Sequence, residues 1–125
     1  RQRQMCIRDS YMMAYYPLGG QLGTRCLDTY NLMEDPAIVK IARTHSKTCA
    51  QVLIRWAIQR GTICIPKSVT PSRIDENFAV FDFSLSEEEM AEIRAIDKKT
   101  RFVRYDFFLT SPQTWRDLWD GEYVD

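Results

Sequence analysis

Residues 65–77, IPKSVTPSRIDEN, gather the side chains in this sequence best suited to hold an anion. Lys67 supplies a point charge, and Arg73 a planar fork that grips phosphate or stacks on a base. Thr70 followed by Pro71 sets a cap residue ahead of a proline that needs no hydrogen-bond partner, so a helix is expected to open there. The first turn of such a helix offers unpaired N–H groups and the positive end of a dipole. A phosphate monoester, carrying about two negative charges, is the natural guest. Further along, Glu76 provides an acceptor and Asn77 both a donor and an acceptor, enough to read an adenine edge. Arg73 and Asn77, four residues apart, share a helix face. Taken singly, Lys67 reads as a solvated loop lysine, Arg73 as half of a surface pair with Glu76 or Asn77, and Ser68 and Thr70 as mere caps. Taken together, behind a buried strand, they read as a phosphate site.

The elements that must position these groups follow from period and punctuation. TICIP, residues 62–66, is a short β-branched run closed by Pro66 and is expected to be a buried strand, with Lys67-Ser68-Val69 turning out of it. A second strand is expected over Met12–Tyr15, where an apolar, aromatic run stops at Pro17 and Gly19-Gly20. Residues 21–34, QLGTRCLDTYNLME, keep no steady period and read as a long loop, of a kind often functional. Asp35-Pro36 opens a helix with its apolar stripe at Ala37, Ile38, Ile41 and Ala42. Thr48, with Gln51 three residues on, opens another as a capping box; its stripe is Val52, Leu53, Trp56 and Ala57, and Gly61 ends it. A last helix starts at Ser86 with Glu89 as box partner and runs through Met90, Ile93 and Ile96.

Strand, loop, helices, strand, loop, helices is the order of an α/β protein with parallel strands. Buried parallel strands need neighbours on both sides, which two strands do not provide. A (β/α)8 TIM barrel takes about 250 residues, and a piece of this length and order is of a size to hold the last two strand–helix units, the C-terminal part, of one.

Composition narrows the partners. Seventeen basic residues balance seventeen acidic ones, so no global field draws the chain to nucleic acid or an anionic membrane, and any anion site must be local. No apolar run approaches the roughly 20 residues of a membrane span. Cys26, Cys49 and Cys64 are too far apart for a metal motif and suggest reduced structural thiols in a cytoplasmic setting. Residues 1–10, RQRQMCIRDS, have no structural period; they match, codon by codon, the in-frame translation of a transposase-type sequencing-library adapter. The alternative is a disordered basic leader. Residues 11–125 are the expected authentic portion.

The stretches IPKSVTPSRIDEN, PLGG after a strand, DPAIVKIARTHSKTCAQVLIRWAIQRG and FDFSLSEEEMAEIRAID resemble, in order and spacing, the C-terminal part of the aldo-keto reductase family. That resemblance implies a barrel binding NADPH/NADP+ at the C-terminal ends of its strands and reducing small-molecule aldehydes or ketones to alcohols. It implies that Lys67 and Arg73 hold the adenosine 2′-phosphate, that Ser68, the Val69 backbone and Thr70 complete its cradle, and that Glu76 and Asn77 contact the adenine. Tyr15 matches the aromatic residue that stacks on the nicotinamide; its alternative is an ordinary tyrosine at a barrel end. Leu18 and the Gly19-Gly20 backbone would line the pyrophosphate side. Two departures weaken side-chain contacts there: Tyr16 stands where the family usually has serine, and Gly20 where many members have serine or a similar polar residue.

The family's catalytic tyrosine, lysine, aspartate and histidine lie upstream of the matching segments, so no catalytic residue and no metal ligand is assigned within this chain. His45, near the end of a helix, reads as structural or surface, and Glu87–Glu89 as dipole partners. Residues 98–125 crowd aromatic side chains into what the resemblance makes a C-terminal substrate loop. Phe107, Phe108, Trp115 and Trp119 are its candidate pocket walls, with packing against the barrel's outside as the alternative. Two further readings stay open: a noncatalytic NADP(H)-binding module, such as a channel subunit or structural protein of the same superfamily, and a phosphate-binding barrel piece unrelated to redox. The oligomeric state is not legible.

Overall fold

In the computed structural model of the chain, which describes residues 11–19 and 31–96, helix α1 (Pro36–Thr44) begins where Asp35 accepts a hydrogen bond from the Ala37 N–H at 2.8 Å. Pro36 sits at the first helical position, as its sequence context predicts. Just before it, residues expected to be loop form a short 3-10 turn, Leu32–Glu34, whose cap is the Asn31 side chain. Helix α2 (Cys49–Gln59) opens with the predicted capping box: Thr48 Oγ1 accepts from the Gln51 N–H at 3.3 Å, and Gln51 Oε1 accepts from the Thr48 N–H at 2.9 Å. Helix α4 (Glu87–Arg94) repeats the device with Ser86 and Glu89.

Both α1 and α2 close with the same paired hydrogen bonds. After α2, the Gly61 N–H donates to Ile58 and the Thr62 N–H to Ala57, with Gly61 at φ +75°. After α1, the Ser46 N–H donates to Arg43 and the Lys47 N–H to Ala42, with Ser46 at φ +53°. Glycine takes that left-handed position freely; serine does so against the clash of its Cβ.

The core lies among these helices. Ile38, Ile41 and Ala42 of α1 pack with Val52 and Leu53 of α2 and with Leu85, Met90 and Ile93 around α4. Each large side chain buried this way contributes about 1.5–3 kcal/mol. Trp56 is half-buried against the cluster, donates its indole N–H to the Met90 carbonyl at 3.3 Å, and lies under the Arg60 guanidinium at 4.2 Å.

The strands are parallel, as the element order predicts: β1 (Met13–Ala14) pairs with β2 (Ile63–Cys64) in the register Met13 to Ile63 and Ala14 to Cys64. They are shorter and more open than the sequence predicts. Tyr15 lies in a bend beyond β1, Thr62, Ile65 and Pro66 fall outside β2, and Met13, Ile63 and Ile65 are 57%, 44% and 61% exposed. A strand extends only as far as a neighbour bonds to it, and among the described residues each has one neighbour, with α2 touching β2. Helix α3 (Pro71–Phe78) follows β2 and buries no residue of its own. No helix among the described residues is long and apolar enough to cross a membrane.

Candidate functional site

Because β1 and β2 run the same way in adjacent register, the segments leaving them emerge at one end of the sheet. Tyr15 leaves β1, and Ile65 to Val69 leave β2 toward α3. This single topological fact brings two of the sequence-nominated clusters, far apart in the chain, to the same edge.

At the start of α3 the predicted cap is only half present. Thr70 occupies the cap position with extended backbone, but its side chain makes no capping hydrogen bond. Ser68 bends back instead: its Oγ accepts from the Thr70 N–H at 3.2 Å and donates to the Thr70 carbonyl at 3.4 Å. The first-turn N–H groups of α3 therefore keep their capacity for an outside acceptor. Lys67 and Arg73 are exposed, and among the described residues neither forms an ion pair. The surface pairing of Arg73 with Glu76 or Asn77, the bland alternative, is not made.

Between α2, β2 and α3 lies an open groove of about 570 Å³. Ile54, Ile58, Ile74 and Phe78 give it apolar walls, and Lys67, Ser68 and Asn77 line it as well. That combination of apolar walls with a few polar groups, at this size, suits a small-molecule or cofactor ring. Val69, Thr70, Arg73 and Glu76 lie outside the lining, so of the seven residues nominated from Lys67 to Asn77 the structure gathers three around one groove and leaves four beside it. Val69 is 79% exposed. Leu18 is half-buried and packs against the helical core. Burial pushes the Cys64 thiol above its ordinary pKa, as suits an unreactive cysteine lining an apolar wall. Gly20, Phe107, Phe108, Trp115 and Trp119 lie outside the described residues, as does Cys26.

A second layer, missed by sequence reasoning, fixes α3. Gln51, buried at the start of α2, donates through Nε2 to the Glu76 and Ala79 carbonyls at 3.0 and 3.1 Å while its Oε1 serves the capping box. One turn on, Arg55 donates to the Val80 carbonyl at 3.2 Å. Another turn on, Gln59 donates to the Leu85 carbonyl at 3.0 Å and accepts from the Leu85 N–H at 2.7 Å. Gln51, Arg55 and Gln59 form a polar stripe at helical spacing. In the fold it grips the segment joining α3 to α4. The only available signal was that stripe's regular spacing, which says nothing of what it meets.

His45 takes the structural role. Its Nε2 lies 2.9 and 3.0 Å from the two carboxylate oxygens of Glu89, tying the end of α1 to the start of α4, with Phe83 tilted against its ring at 5.3 Å. Burial is the largest single influence on Glu89 and raises its pKa, but the Ser86 N–H and His45 together outweigh it and hold the carboxyl below the ordinary glutamate value.

The aldo/keto reductase family model matches residues 9–98. The chain belongs to the aldo/keto reductase family. Aldo-keto reductase family 1 member A1-A of Danio rerio is 51% identical over 86 residues, 69% of this chain and 26% of that protein. Among solved structures, MGS-M4, an aldo-keto reductase enzyme from a Medee basin deep-sea metagenome library, superposes with a TM-score of 0.68 at 39% identity over 76% of this chain and 33% of that one. The aldose reductase from Schistosoma japonicum does so with a TM-score of 0.58 at 48% identity, over 68% of this chain and 25% of that one. The chain spans about a quarter of the length of the curated relatives it matches. The aldo/keto reductase fold is a (β/α)8 barrel, and barrels of this kind build their sites at the C-terminal ends of the strands. Tyr15 and the segment from Lys67 to Asn77 follow the C-terminal ends of β1 and β2.

Proposed function

We propose that residues 11–125 are the C-terminal part of an NADPH-dependent aldo-keto reductase and supply its grip on the cofactor. The observation that carries this reading is the side-chain-uncapped start of α3, after a strand end, with Lys67 and Arg73 beside it forming no ion pair among the described residues. The donor set fits a phosphate: two cations, helix N–H groups without a side-chain cap and the Ser68 and Thr70 hydroxyls, with no carboxylate among the described residues taking up either cation. In this reading Lys67 and Arg73 hold the adenosine 2′-phosphate, Ser68, the Val69 backbone and Thr70 complete its cradle, and Asn77 and Glu76 contact the adenine. Tyr15 stacks on the nicotinamide, and Leu18 with Gly19-Gly20 borders the pyrophosphate. When bound, NADPH supplies the hydride for reduction of an aldehyde or ketone. The aromatic residues of 98–125 border the substrate, and residues 1–10 are foreign to the enzyme. The free Cys49 and Cys64 suit a reducing, cytoplasmic setting.

The test uses the full-length protein. Lys67→Ala and Arg73→Ala are each expected to weaken NADPH binding about ten-fold or more, the worth of a charge-assisted hydrogen bond, while NADH affinity stays level. If neither change narrows the preference for NADPH, the 2′-phosphate assignment is wrong. Residues 11–125 alone are expected to show no carbonyl-dependent NADPH oxidation; turnover by that piece would overturn the claim that the catalytic residues lie upstream. Cofactor binding without turnover by the full-length protein would favour the noncatalytic module.

A further inference from the structure

Directly after β1 the backbone adopts a conformation that tyrosine resists. Tyr16 has φ +55°, in the left-handed region where a bulky side chain is an outlier. The turn from Tyr16 to Gly19 is closed by the Gly19 N–H donating to the Tyr16 carbonyl at 2.9 Å, with Pro17 preset for its second position. Glycine or asparagine would serve that turn with less strain, so the turn alone does not call for an aromatic ring. The ring does something else. It meets Tyr15 edge to face, with centroids 4.6 Å apart and planes at 79°. Consecutive side chains in an extended strand point to opposite faces and cannot meet this way. The left-handed kink breaks the alternation and lets neighbouring rings touch. Tyr15 is 68% and Tyr16 40% exposed, so the contact does not serve a core. Backbone strain held at an exposed strand end, together with an aromatic contact that buries little, is the pattern of a side chain being aimed.

We infer that Tyr16 is a positioning residue, whose ring fixes the orientation of the Tyr15 ring for stacking on a nicotinamide. The inference rests on the proposed role of Tyr15. Tyr16 does not touch the cofactor in this account; it removes rotational freedom from Tyr15 before binding, so less is lost when the rings stack.

The experiment compares two ligands on the full-length protein: NADPH and adenosine 2′,5′-bisphosphate, which has the phosphate end but no nicotinamide. Tyr16→Asn keeps the left-handed turn and loses the ring; Tyr16→Phe keeps the ring. Tyr16→Asn is expected to weaken NADPH about five-fold, the worth of an edge-to-face contact, and to leave the bisphosphate unchanged. Its thermal midpoint should not fall, and Tyr16→Phe should bind both ligands as the parent does. Equal losses for both ligands, undiminished NADPH affinity in Tyr16→Asn, or a Phe variant that behaves like the Asn one would overturn the role of Tyr16. Failure of the parent itself to bind either ligand is a different outcome: it removes the cofactor reading on which the inference stands.

Discussion

Helix α2 divides the described structure into two unlike halves. On one side, Val52 and Leu53 close against α1 and the α4 region, and the large side chains there have almost no contact with solvent. On the other, Ile58 and the buried Ile54 line a groove whose far wall, α3, has no buried residue. The closed core and the groove thus lie on opposite sides of one helix. The closed half is held by apolar area. In the open half, the segment from α3 onward is tied to α2 by the amide of Gln51 and the groups that continue its stripe, beside the buried Ile54 and Val80.

The contrast is broken most severely from the closed side. Ile41→Ala, in a position 1% exposed, is expected to lower the unfolding free energy by about 3 kcal/mol in urea, while Ile65→Ala on the open side changes it by less than about 0.5 kcal/mol. Similar losses at both positions would show that the open side is not open. Gln51→Ala sharpens the comparison from the middle. The loss should be about 1.5 kcal/mol, since it removes a capping-box partner and the Ala79 carbonyl's bond. Amide hydrogen exchange should accelerate in α3 but not in α1.

A smaller effect belongs to acid. Glu89 has its folded pKa lowered, so the stability it contributes is complete above the ordinary glutamate value and is lost as pH falls through the depressed one. Unfolding measured between about pH 5 and pH 3 should therefore show falling stability, and Glu89→Gln should make the slope shallower. Some slope will remain, because hydrogen bonding to Lys47 lowers Asp82 and a backbone N–H lowers Glu88. Smallest is Ser46→Gly. Relief of the left-handed strain slightly exceeds glycine's extra chain entropy, for a gain of about 0.5 kcal/mol by thermal unfolding.

What could be read in the sequence was mostly what is decided within one helical turn. Asp35, Thr48 and Ser86 all cap as their neighbours imply, because the side chain and the N–H it serves are two or three residues apart. Thr70 has the same local signal and does not cap; Ser68, two residues earlier, engages the Thr70 backbone instead, and no propensity weighs that competition. The parallel pairing was legible from element order, whereas strand length was not, because length depends on neighbours. The α2 stripe was visible as a spacing, yet its partners sit 25 to 28 residues away along the chain. Of the candidate site, the strand-end cluster from Lys67 to Asn77 was legible by residue type. The Tyr15–Tyr16 contact was not, because it needs a backbone reversal that nothing in the letters Tyr-Tyr-Pro announces.

Strands of two residues each carry a consequence for how this sheet can grow. Because a ladder lengthens only as partners bond to it, a further strand laid alongside would start from the two rungs already formed and extend them. Covering the exposed Ile63 and Ile65 side chains would add roughly 25 cal/mol for each Å² of oily surface withdrawn from water.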